Sequence, residues 1–299
     1  MGQQKTEFWY HMAAFAMVLV WGISFINTRV LLDAGLTPTE IFIERFIIAY
    51  LALLAICRFK VQWTGWRDEL LFLVCGVAGG SAYFIAENMA LKYTLISDVA
   101  VLVCIAPLTT ALIGAMFYRD ERITWMTCLG MIIAFIGSAM LALKDGFVWG
   151  DSIIGDLLAL FAALVWAFYP MALKQLNRRY TTLFNTRKMF FYGILSALPL
   201  LAFQETPVNW QALKLPAVWG NLLYLGLVCS MAAFFIWGIT VKRIGAVRAS
   251  NYFYLTPIIS MIAAAIWFGE RTTIIAYIGI VLILAGVIIA EKFKRQPDR

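Results

Sequence analysis

Histidine is nearly missing from this chain, which has His11 alone among 299 residues. A site with paired histidine ligands is therefore excluded. Charge is scarce as well: Asp, Glu, Lys and Arg make up 14% of the residues, where soluble proteins carry about 25%. The five cysteines, Cys57, Cys75, Cys104, Cys128 and Cys229, all fall inside apolar runs without a C-x-x-C pair. That pattern speaks against a disulfide framework or a zinc site and predicts buried free thiols. Glycine-rich phosphate loops, H-E-x-x-H and serine-elbow motifs are also absent. The loops are short, so no soluble module of the kind a receptor or sensor carries is in view.

What is abundant is apolar surface. The chain is 63% hydrophobic, with a mean hydropathy of +0.83. Too few polar residues remain to coat a globule, so a bilayer must be the solvent. Tyr, Trp and Phe make up 15%, and several Trp and Tyr sit near segment ends, as an interfacial belt would place them. The net charge of +7 lies in short loops between apolar runs. Topology explains it, and no nucleic-acid partner is expected. Residues 1–11 are too polar and too mixed in charge for a signal peptide. The first helix would direct insertion, with His11 at the interface.

About 20 apolar residues cross a bilayer as a helix. On that scale ten spans are predicted, near 12–32, 39–57, 70–91, 96–118, 124–143, 153–175, 183–203, 217–240, 249–268 and 273–290. Arg187 and Lys188 interrupt the start of the seventh. Basic residues fall in every second loop (Arg58, Lys60 and Arg67; Arg119 and Arg122; Arg178 and Arg179; Lys242, Arg243 and Arg248) and in the tail from Lys292. The alternate loops carry Asp33, Asp145, Asp151 and Glu205. This asymmetry predicts an even number of spans, with both termini cytoplasmic in the cell (inner) membrane.

The chain also repeats itself. Pro107…Glu121-Arg122…Gly130…Gly137 returns as Pro257…Glu270-Arg271…Gly279…Gly286. Trp21 matches Trp166; Thr39, Phe42, Arg45 and Tyr50 match Thr181, Phe184, Arg187 and Tyr192; Gly76 matches Gly226. The expected division is 1–143 and 156–299, the second half ending in a basic cytoplasmic tail, with 144–155 as linker. Five helices per half is an odd number, so the halves insert in opposite orientations. The fold class predicted is therefore all-α integral membrane, two inverted five-helix repeats with a substrate site near the midplane between them.

The ten-helix plan, the doubled Pro…Glu-Arg…Gly…Gly block and the early Trp of each half resemble the drug/metabolite transporter superfamily, specifically its EamA-type exporters. The resemblance covers nearly the whole chain. It implies a carrier without an ATP-binding module, moving amino acids, other metabolites or drugs, usually outward. Its motifs specify the fold and say little about the cargo. Neither enzymatic activity nor a cofactor is expected. The partners expected are the lipid bilayer, a small-molecule substrate and protons as a candidate coupling ion. Because both halves share one chain, a monomer is expected to suffice. A multidrug or lipid-like cargo is the alternative within transport; a membrane enzyme or sensor is the alternative outside it.

Polar groups are expensive in a bilayer interior, so each is a candidate for function. Gly76, Gly80, Tyr83 and Glu87 share one face of the third helix, and Gly226, Ser230, Ala233 and Trp237 share the matching face of the eighth. These are predicted as opposite walls of a cavity, or as packing where they are small. Glu87 has no acidic counterpart, since Trp237 stands opposite it in the repeat. It could load and release a proton, or it could be held charged by Arg45, for which Glu44 competes. Trp21, Ser24 and Thr28 share a face of the first helix, Trp166 and Tyr169 one of the sixth, and Asn251 and Tyr254 one of the ninth. A mostly aromatic pocket of this kind suits a zwitterionic or apolar metabolite. Arg187 and Lys188 could meet a carboxylate at the inner mouth or contact lipid headgroups. Pro107 and Pro257 are read as mid-helix kinks that could gate. Glu121 and Glu270 read as helix caps, and the paired glycines as packing faces.

Overall fold

The computed structural model describes residues 2–57, 62–94, 96–118, 124–142, 152–204, 209, 211–268 and 274–292. Glu121 and Glu270, linker residues 144–151 and the tail from 293 lie outside them. Fifteen α-helices join into ten rods, with no strand among the described residues. The first half comprises α1 (Gly2–Asp33), α2 (Pro38–Ile56), α3 (Trp66–Gly76) with α4 (Ala82–Tyr93), α5 (Ile96–Val103) with α6 (Ala106–Phe117), and α7 (Trp125–Ala142). The second comprises α8 (Ser152–Trp166) with α9 (Phe168–Leu176), α10 (Thr182–Leu201), α11 (Pro216–Leu223) with α12 (Ala233–Ile244), α13 (Ala246–Asn251) with α14 (Thr256–Phe268), and α15 (Ile274–Lys292). Among the described residues, five stretches are long and apolar enough to cross a membrane: Glu7–Asp33, Trp66–Tyr93, Ile153–Leu176, Pro216–Ile244 and Ala246–Trp267. Large apolar side chains such as Leu112, Met116, Phe161, Ile266, Val281 and Ile288 cover the outer surface, the faces suited to lipid.

The irregularities fall at matching places in the two halves. The third rod changes to π-helix over Val77–Ser81, and the eighth does so over Tyr224–Ala232. The fourth rod breaks at Cys104–Ile105, and the ninth passes through a 3-10 turn, Tyr252–Leu255. Pro107 and Pro257 are therefore not mid-helix kinks. Each is the second residue of a helix that restarts after a break, where a missing N–H costs nothing. The Sγ of Cys104, at the first break, lies 3.1 Å from the carbonyl oxygen of Phe253 at the second. Of the other cysteines, Cys75 and Cys229 are buried, Cys57 is half-buried and Cys128 faces outward.

The fifth helices of the two halves, α7 and α15, pack directly on each other. A methyl group built on Gly137 would lie 2.6 Å from the carbonyl oxygen of Gly279, and one on Gly130 would lie 2.6 Å from that of Gly286. Numbers rise along one helix as they fall along the other, so the pair is antiparallel, as inversion requires. The second and third rods exchange partners between halves. Gly76 abuts Tyr192 and Gly193 of α10, while Gly226 abuts Arg45 and Ile48 of α2. α2 and α10 also bury Arg45, Arg187 and Lys188, which keeps their charge away from the lipid-facing surface.

Gly137→Leu is expected to force α7 and α15 apart, at about 1–3 kcal/mol of overpacking. The apparent melting temperature of the purified protein in detergent should fall. Gly220→Ala, where a Cβ meets nothing within 4 Å, should leave it unchanged.

Candidate functional site

The first, third, fourth, sixth and ninth rods meet around a central cavity lined by Trp21, Ser24, Phe25, Tyr83, Phe84, Glu87, Val103, Trp166, Phe253 and Thr256. The centre of a water-sized sphere can range over about 20 Å³ of it, enough for roughly one water molecule. An organic ligand would need the rods to part. The aromatic rings set the shape. Trp21 stacks on Phe253 with centroids 5.5 Å apart and planes 6° from parallel, and Tyr83 packs on Trp166 at 4.8 Å.

Hydrogen bonds fix several of these side chains. Trp21 Nε1 donates to the carbonyl of Cys229 at 2.8 Å, within the π segment of the opposite half. Ser24 Oγ donates back to the carbonyl of Trp21 at 2.7 Å. Tyr83 OH donates to Glu87 Oε1 at 2.5 Å; the two are one helical turn apart, as spacing of four requires. Trp166 Nε1 and Thr256 Oγ1 have no hydrogen-bond partner among the described residues. Both are donors on the cavity wall.

Of the residues predicted from sequence, Trp21, Ser24, Tyr83, Glu87 and Trp166 come together here. Tyr169 and Trp237 stand one ring behind. Tyr169 is 5.1 Å from Trp166 and pressed on Gly79, while Trp237 is 5.2 Å from both Trp21 and Phe253. Asn251 and Tyr254 do not line the cavity. The 3-10 turn advances the chain faster than an α-helix, so Phe253 and Thr256 face it instead. Tyr254 is buried in a separate apolar cluster with Cys104, Met131 and Ile283. Arg45 makes no ion pair with Glu87 or Glu44; its Nε donates to Ser230 Oγ at 2.9 Å. Phe25 and Phe84 were legible, lying four residues from Trp21 and three from Glu87. Val103 and Thr256 carried no signal of their own.

The halves are tied to each other on two further patches. On one, Lys188 Nζ of α10 pairs with Glu69 Oε1 of α3 at 2.5 Å, and Tyr192 OH donates to Glu69 Oε2 at 2.5 Å. Beside them Arg179 pairs with Asp68, and Tyr180 OH donates to Asp68 Oδ2 at 2.6 Å. That hydrogen bond raises the Tyr180 phenol above its ordinary pKa. Lys188 thus has a carboxylate of its own chain, whereas the sequence suggested a ligand or lipid headgroup. On the other patch Gln204 Nε2 donates to Thr37 Oγ1 at 2.9 Å, and the Asn209 backbone N–H to Glu40 Oε1 at 3.3 Å. Asp68 and Glu69 sit at the start of α3, whereas Thr37 and Glu40 sit at the start of α2. The ties therefore lie at opposite ends of the bundle.

Against known proteins, a family model described as "EamA-like transporter family" matches residues 8–143 and again 153–291. A probable terminal-alkyne amino-acid exporter of Streptantibioticus cattleyicolor is 31% identical over 284 residues, covering 94% of this chain and 93% of that protein. An uncharacterized transporter of Clostridium kluyveri is 28% identical, covering 91% and 90%. A solved crystal structure superposes with a TM-score of 0.74 at 20% identity, over 96% of this chain and 98% of the other; at that identity it speaks for the fold alone.

Lys188→Met would leave Glu69 buried without its cation, a change worth about 3–5 kcal/mol. Thermal unfolding in detergent should show a marked loss for this variant and recovery of most of it in the Lys188→Met/Glu69→Met double variant. Equal loss in both would assign the effect to packing.

Proposed function

The chain belongs to the EamA-like transporter family, and from that premise we propose that it is a secondary active transporter exporting small organic metabolites, amino acids foremost, by alternating access between its two repeats. That it is a multi-pass membrane transporter of small molecules follows from the family and its relatives; those relatives point away from an enzyme. The observation that carries the finer reading is the cavity at the junction of the halves, with cross-repeat ties toward both ends of the bundle. Loosening one set while the other holds would open the cavity to one side at a time, the arrangement alternating access needs. The division into repeats at 1–143 and 156–299 belongs to the same proposal.

The lining supports the cargo class. Three of its rings, Trp21, Trp166 and Phe253, offer apolar faces, and Glu87 offers one carboxylate. A phosphorylated molecule would meet that carboxylate with like charge, whereas an amino acid brings an ammonium to it. The amino-acid exporter of Streptantibioticus cattleyicolor points the same way. Glu87 also suits proton coupling. It is 5% exposed, faces the cavity and has no cation of the described residues within ion-pair distance, so it can take up a proton or a cargo cation in turn. The basic loops support cytoplasmic termini in the cell membrane, and the single-chain repeat supports a working monomer.

Counterflow of labelled amino acids, other metabolites and lipophilic drugs into proteoliposomes tests the reading. Saturable exchange of amino acids is expected; drug movement alone would favour the multidrug alternative. Glu87→Gln should abolish the stimulation of transport by a pH gradient. A fully retained pH dependence at full rate would remove Glu87 as the proton carrier.

A further inference from the structure

Arg45 is 1% exposed in α2. Its Nε bonds Ser230 of the opposite half, its Nη2 has no partner among the described residues, and its Cζ stands 4.2 Å from the centroid of the Phe84 ring. No carboxylate of the described residues lies within ion-pair distance of it. A buried cation in that state is costly, and the ring contact and one hydroxyl offset only part of the loss. The neighbouring Glu44 does not relieve it, and Glu44 Oε2 itself has no hydrogen-bond partner among the described residues.

The placement of that charge relative to the cavity is the informative feature. Phe84, which carries the guanidinium on its face, also lines the cavity. Glu87, three residues further along α4, lines it too. The carboxylate thus stands on the cavity wall and the cation behind the Phe84 ring of that same wall, with no ion pair between them. Trp166 Nε1 and Thr256 Oγ1 add unpaired donors to the same wall. A molecule with one negative and one positive pole would complete both halves of this arrangement. A molecule with one pole would leave the other charge unpaired.

On the reading that this chain is a transporter, we infer that Arg45 is a specificity-determining residue for a zwitterionic amino acid. It takes the α-carboxylate while Glu87 takes the α-ammonium. The planar guanidinium offers a carboxylate two parallel hydrogen bonds. Reaching it requires the Phe84 ring to swing aside as the cavity widens from water size, and the aromatic faces of Trp21 and Phe253 then receive the side chain. Selectivity arises because a site built around a charged group rejects analogues that lack it far more strongly than it rejects a change of one methylene.

The full-length protein in proteoliposomes tests this with labelled L-phenylalanine and L-leucine, their methyl esters, which lack the carboxylate, and their N-acetyl derivatives, which lack the ammonium. The wild type is expected to exchange the free amino acids at least about tenfold faster than either analogue. Arg45→Gln should lose that preference over the ester by slowing the amino acid and sparing the ester, with Arg45→Lys intermediate. Equal wild-type rates for amino acid and ester would overturn the inference. So would an Arg45→Gln variant that slows both by the same factor, which is the signature of a structural role. If the variant does not fold, tryptophan fluorescence of the wild type decides: quenching by L-phenylalanine and not by its ester is expected, and equal quenching by both would overturn the inference. Transport of tetraphenylphosphonium with no movement of either amino acid would sink this assignment while transport stands. No movement of any probe would sink both.

Discussion

The hydrogen bond from Trp21 to the Cys229 carbonyl joins the first rod of one half to the interrupted eighth rod of the other, and it shows the constraint the architecture obeys. Hydrocarbon provides no partner for a backbone group released from a helix. An irregular turn can therefore sit at membrane depth only where another rod meets it or where a cavity opens. Both π segments, the fourth-rod break and the 3-10 turn of the ninth lie in that protected position. Each half supplies what the other's irregularity needs.

Close approach follows from the same constraint. Without a hydrophobic force between helices in lipid, packing holds them together, and packing is best where side chains are smallest. Glycines 130, 137, 279 and 286 let α7 and α15 touch backbone to backbone, and Gly76 and Gly226 let each third rod lean on the second helix of the other half. The halves are thereby interleaved rather than merely adjacent. Polar ties join the halves as well, with Lys188–Glu69 on one patch and Gln204–Thr37 on the other. Such contacts exchange readily for water once an end opens.

Symmetry is broken where chemistry is needed. Glu87 stands where the repeat has Trp237, and Arg45 bonds Ser230 where the other half presents Gly80. Arg45 and Glu87 therefore both sit on the α2 and α4 side of the cavity, with Tyr83 and Phe84, while Trp21, Trp166 and Phe253 line it from other rods. A symmetric frame can move symmetrically while holding an asymmetric ligand.

The sequence by itself determined the class of solvent, the ten rods, their inverted halves and the role of the paired glycines, because hydropathy, loop charge and duplication are local or periodic signals. It also placed Trp21, Ser24, Tyr83, Glu87 and Trp166 on shared faces, since regular helix obeys fixed spacing. What only the tertiary structure decided lies at the irregular turns. The 3-10 turn rotated Phe253 and Thr256 inward in place of Asn251 and Tyr254, and the breaks moved Pro107 and Pro257 from mid-helix to helix start. The tertiary structure also decided the partners of two buried charges: Glu69 for Lys188 and Ser230 for Arg45. Which buried charges meet depends on rods distant in the chain, and no spacing along one helix records that.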